Sequence, residues 1–158
     1  MKIAYTLLFA ASFTITQGYS NKKTINNNPI NIVSAYNQSE SNLNNALLEL
    51  VEGINPKAFN KSWKTEANVW KEKVKSAADV STLSSSYLTL VEQIKPKYFK
   101  PNWEKSKEKW VKQVKEARSN LALAGLLKTF YSNLNPDTFT KDWPSKGAQW
   151  VESLNKIE

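Results

Sequence analysis

The sequence predicts an all-α protein: three tandem 40-residue helical hairpins packed as a short solenoid or a compact bundle. Three observations predict it. Ile54, Ile94 and Leu134 are spaced by 40, and so are Pro56, Pro96 and Pro136, and Phe59, Phe99 and Phe139. All six tryptophans obey the same offset, as Trp63, Trp103 and Trp143, then Trp70, Trp110 and Trp150. A fixed period of this size means one supersecondary unit used three times. Second, the apolar residues within each unit recur at helical spacing. Third, strand signals are weak: the chain has four glycines and no Asn-Gly or Asp-Gly turn between alternating runs.

In chain order, Met1 to about Ser20 has the character of a secretory signal peptide. Lys2 gives the positive start, Ile3 to Ile15 is mostly apolar yet too short to span a bilayer, and Gly18 and Ser20 are small residues suited to cleavage. Residues 21–39 are rich in Asn and Ser and read as a flexible linker. Asn37-Gln38-Ser39 and Asn60-Lys61-Ser62 match the glycosylation triplet, a match expected by chance in so Asn- and Ser-rich a chain. Residues 40–158 form the helical repeat domain, in units of about 43–82, 83–122 and 123–158.

Each unit is read as two helices. In the first unit Leu43, Leu47, Leu50 and Ile54 lie on one helical face. The proline two residues later stops that helix, and Gly53 suits its end. The first helices of the second and third units are expected to begin after Ser81 and Ser119. The second helix carries Trp63, Trp70, Val74 and Ala77, a stripe repeated in both other units. Asn60 and Thr140 are expected to cap it, with Lys100-Pro101 at the same place in the middle unit. The phenylalanine before each cap is placed to fold back as a hydrophobic staple. Pro144 is expected to make the last helix start late or bend, and that helix closes the array as a capping repeat would.

The tryptophans of each pair are seven apart and share a face. They are read as core that defines the repeat; an aromatic platform for a flat ligand is the alternative. The 40-residue period falls near that of HEAT repeats, but a proline after the first helix and paired tryptophans in the second are not that pattern. The residues point to no known family.

The net charge of +8 concentrates in the middle unit, where nine basic residues between Leu83 and Arg118 face four acids. Lys105, Lys112 and Lys115 lie roughly opposite Trp110, and they are the nominated surface binding residues. Glu104, Glu108 and Glu116 share that face, with Glu108 and Lys112 at favourable i,i+4 spacing. A solvated face with weak ion pairs explains this; a dock for an acidic polymer or lipid is the sharper reading.

The chain has no histidine and no cysteine. This removes Ser-His-Asp and Cys-His nucleophile systems, the usual transition-metal ligand sets, disulfides and a lipidated cysteine. No Gly-rich phosphate loop is present. No catalytic, cofactor-binding or metal-binding residue is nominated, and no cofactor is expected. The expectation is a secreted or periplasmic, non-enzymatic helical-repeat protein that binds another macromolecule, first of all a protein, without reading nucleic-acid sequence and without a transmembrane anchor. A carbohydrate or small-ligand module using tryptophan edges is the second expectation. An enzyme using carboxylates or lysine alone is the third.

Overall fold

The structure is a computed structural model that describes residues 43–157. The signal peptide, the linker and the Asn37 triplet lie outside the described residues. Six α-helices are seen among those residues: α1 (43–53), α2 (Trp63–Lys75), α3 (Val80–Gln93), α4 (Trp103–Glu116), α5 (Asn120–Ser132) and α6 (Trp143–Leu154). Each proline that ends a first helix opens a single 3-10 turn, at Pro56–Ala58, Pro96–Tyr98 and Pro136–Thr138. Its fixed φ suits the first position of such a turn.

Helices α1, α3 and α5 are the inner, apolar set. Their repeat positions supply three buried layers: Leu43, Leu83 and Leu123; Leu47, Tyr87 and Leu127; Leu50, Leu90 and Phe130. Helices α2, α4 and α6 are amphipathic and lie outside, burying the tryptophan stripe and then Val74, Val114 or Leu154. All six indoles are buried. The staple forms as expected: Phe59, Phe99 and Phe139 stack on Trp63, Trp103 and Trp143, with ring centroids 4.8, 5.1 and 5.5 Å apart.

The units join through bonds that repeat around a closed cycle. The Trp70 indole N–H donates to the Ser86 carbonyl at 3.0 Å, and Trp110 donates to Leu126 at 2.9 Å. Trp150 donates to Ala46 at 2.7 Å. The third unit therefore meets the first as the first meets the second. Isolated antiparallel bridges repeat the cycle, Phe59 with Ile94, Phe99 with Leu134 and Phe139 with Ile54. The result is a compact bundle in which the third unit is no terminal cap, because α6 packs on α1.

This closure explains where the local reading of the caps fails. Asn60 and Thr140 do not cap their own helices with their side chains. The Asn60 amide donates to the Glu92 carbonyl at 2.9 Å, and the Thr140 hydroxyl donates to the Gly53 carbonyl at 3.2 Å. Their backbone N–H groups donate to Gln93 and Gly53, as that of Lys100 does to Asn133. The last carbonyls of a helix have no partner within it, and the neighbouring unit satisfies them here. The outer helices start later, at the tryptophan, so Pro144 stands in the first turn and breaks no helical bond.

Among the inner helices, α5 is capped as expected, with Ser119 accepting from the Ala122 N–H at 3.2 Å. For α3 the cap is Asp79, not Ser81: its carboxylate accepts from the Thr82 N–H at 2.8 Å and from the Ser81 hydroxyl at 2.6 Å. Those bonds favour the ionised form and lower the Asp79 pKa, the Ser81 hydroxyl contributing most.

Candidate binding surfaces

The cyclic arrangement makes three quasi-equivalent seams, each between an outer helix and the next inner helix. They differ at one repeat position. At the α2–α3 seam Gln93 fills the gap: its carbonyl accepts from the Ser62 hydroxyl and its amide donates to Glu66, both at 2.9 Å. At the α4–α5 seam Asn133 turns back onto the Thr129 carbonyl at 2.7 Å. At the α6–α1 seam the residue is Gly53, which has no side chain to offer.

Gly53 is the last residue of α1 and has no left-handed backbone. A close approach dictates the glycine. A Cβ built there would overlap the six-membered ring of Trp143, with Cδ2 only 2.6 Å away. The backbone of α1 thus leans on the indole, and a cleft of about 560 Å³ remains beside it. Glu49 and Glu52 line it from α1, and Asp142, Lys146 and Gln149 from α6 and its entry turn, with Trp143 and Trp150 between them.

The cleft's charges are partly committed. The Lys146 ammonium donates to the Asp142 carboxylate at 2.8 Å, and Lys71 approaches Glu52 at 3.5 Å. The Lys146 hydrogen bond, with the charge of that ammonium, holds the Asp142 pKa down at about 2. The same bond raises that of Lys146. A carboxylate so firmly ionised makes a poor general acid near neutral pH. Among the described residues no three His, Cys, Asp or Glu side chains are grouped to hold a metal ion.

The second surface is the outer face of α4. Lys105, Lys112 and Lys115 are all exposed on it. The expected Glu108–Lys112 pair is not among the ion pairs of the described residues; Lys112 instead approaches Glu116 at 4.0 Å. Both side chains are well exposed, and such a pair contributes little. No ion pair holds Lys105 or Lys115 among the described residues. The other glycosylation triplet begins at Asn60, whose amide is already bonded to Glu92.

The six buried indoles decide one matter left open by spacing. The exposed fractions of Trp143 and Trp150 are 5% and 3%, too little ring face for a planar ligand to stack on. The cleft and its glycine went unnominated in the sequence. The signal was present in the aligned units, where Gly53, Gln93 and Asn133 occupy one position.

Residues 79–145 match the model of a family described as a domain of unknown function, DUF8799. The match runs from the cap of α3 into the first turn of α6, across the middle unit and most of the third. No curated protein matches the chain, and no solved structure does. No helix among the described residues is long and apolar enough to cross a membrane.

Proposed function

We propose that the chain is a secreted or periplasmic, non-enzymatic module that binds another protein. The observation that supports this is the open α6–α1 seam. A closed array of like units has three like seams; at this one the filling position is a glycine and a cleft of about 560 Å³ remains between α6 and α1. The recess of about 590 Å³ at the α4–α5 turn is more open and has no aromatic floor. Its walls are polar, its floor is aromatic and rigid, and its carboxylates face outward on two helices. Such a recess suits a side chain or loop of a partner, set on a scaffold whose geometry is fixed by closure. The leader-like first twenty residues support the location.

The carbohydrate reading rests on the same cleft, since Trp143 and Trp150 line it, but their burial counts against it. The enzyme reading would need a carboxylate free to exchange protons, and the Asp142 pKa counts against that residue. The test is affinity capture of envelope and secreted proteins by residues 40–158, compared with a Glu49→Lys variant. Capture of a defined protein, lost on Glu49→Lys with the melting temperature kept, is the expected result. A partner retained by Glu49→Lys but lost on replacing Lys105, Lys112 and Lys115 with Gln would move the site to α4.

A further inference from the structure

We propose that the outer ridge of α4, with the start of α5, is an electrostatic dock for an anionic lipid bilayer. The cyclic packing supplies the argument, because it shows what the fold requires at each position. Lys105, Lys109 and Lys112 recur at i, i+4 and i+7 and are all exposed on one face of α4. The equivalent positions hold Thr65, Val69 and Glu72 in the first unit, and Ser145, Gln149 and Glu152 in the third. The same helix in the same packing therefore forms with neutral or acidic residues there. Lysine at all three positions is a property of the middle unit alone, and it serves no contact that the fold needs. Lys115 differs, since Lys75 matches it in the first unit.

The neighbouring helix extends this surface. From Ala117 to Pro136 there is no aspartate or glutamate, and Arg118 stands just past the end of α4. Lys128 is turned away to the end of α6, donating to Asn155 at 2.8 Å. The carboxylates that do lie near the ridge are Glu104 and Glu108 on α4 and Glu116 at its end, the last within 4.0 Å of Lys112. Leu121, at the start of α5 and three residues from Arg118, is 58% exposed, one of two such large apolar side chains among the described residues.

The chemistry favours lipid over a protein partner at this face. The three ridge cations are lysines on long free stems and line no pocket among the described residues. The open recess of about 590 Å³ at the end of α4 is lined by Glu116 and Arg118 instead. That guanidinium is turned onto the Lys115 and Ala117 carbonyls rather than offered for bidentate recognition. A fluid bilayer needs no fixed counterpart, since its head groups move to the charges. Each lysine held near an anionic surface contributes up to about fivefold in partition. A single exposed leucine adds an apolar contact at the interface without making an anchor.

The test is co-sedimentation of residues 40–158 with vesicles of phosphatidylcholine alone or with roughly a third phosphatidylglycerol. The variant replaces Lys105, Lys109 and Lys112 with the third unit's own Ser, Gln and Glu, which that packing already accepts. The expected result is binding to anionic vesicles only, steeply weakened between low and high salt, and lowered at least about tenfold in the variant at unchanged melting temperature. The triple Lys→Arg variant should retain it. Equal binding to neutral vesicles, no binding by the wild type, or full retention by the charge-swapped variant would each overturn the proposal. So would binding to soluble polyglutamate with none to vesicles, which would assign the ridge to an acidic polymer. Should the swapped variant fail to fold, the salt dependence of the wild type still decides. Loss of protein capture on Glu49→Lys is a separate outcome and leaves this one standing.

Discussion

Alanine at Gly53 and alanine at Gly125 should move stability in opposite directions, although both glycines sit in inner helices with ordinary helical backbone. At Gly125 an added methyl meets nothing within 4 Å. The only effect is then the helix propensity of alanine over glycine in a helix interior, a gain of about 0.5–1 kcal/mol. At Gly53 the same methyl falls inside the Trp143 ring. The indole cannot yield cheaply, because it stacks on Phe139 and touches Tyr131 and Trp150. Overpacking of this kind costs about 1–3 kcal/mol. Gly53 ends its helix, so little propensity gain offsets that cost. For a domain of this size 1 kcal/mol shifts the melting temperature by about 4 °C. Thermal unfolding followed by circular dichroism should thus show Gly125→Ala melting about 2–4 °C above the parent and Gly53→Ala about 4–12 °C below it. A Gly53→Ala melting temperature equal to or above the parent would mean that α1 and Trp143 are not in contact, and the α6–α1 seam would not exist as described.

Three further outcomes follow from named residues. Trp110→Ala should destabilise by about 3–5 kcal/mol, because the side chain is buried against Trp103 and Phe130 and bonds to Leu126; an unchanged denaturant midpoint would place Trp110 at the surface. Tyr87→Phe should stabilise by about 1 kcal/mol, since a buried polar group without a partner is unfavourable. The Tyr87 hydroxyl is fully buried, has no partner, and has its pKa pushed well above 10 by that burial; a lower melting temperature for the variant would reveal a partner. The Asp142 carboxyl, depressed from 3.8 to about 2, contributes stability that is present above about pH 4 and lost as pH falls through its folded pKa. A carboxyl chemical-shift titration should show that value and show Lys146→Gln moving it back up; a value indifferent to Lys146 would mean that the bond is not formed.

The repeat unit was legible because each copy makes the same contacts, so the same apolar positions recur at an offset of 40. The Phe staple and the Ser119 cap were legible for a related reason: both are satisfied within a few residues of themselves. Closure was not legible, since a periodic sequence is the same in an open and a closed array. The contact that closes it joins Trp150 to Ala46, 104 residues apart. Asn60 and Thr140 were misjudged because local capping propensity competes with a stronger demand, the unpaired carbonyls at the end of the neighbouring unit's helix. Gly53 showed as a helix terminus, but the reason for it, the Trp143 ring, lies 90 residues away. Exposure of Lys105, Lys112 and Lys115 followed from the helical period. Whether Lys112 turned to Glu108 or Glu116 did not, because both spacings are permitted and neither pair is strong.

The central claim is that three hairpins close on themselves, and the indole N–H groups test it most directly. Trp70, Trp110 and Trp150 donate to Ser86, Leu126 and Ala46, one bond across each seam. In a ¹⁵N-labelled sample, hydrogen exchange and nuclear Overhauser contacts of these three protons can be read side by side. Closure predicts that the Trp150 indole proton is protected to a degree comparable with the other two and shows an Overhauser contact to Ala46. Free exchange at Trp150 without that contact, while Trp70 and Trp110 stay protected, would show an open array and contradict the account.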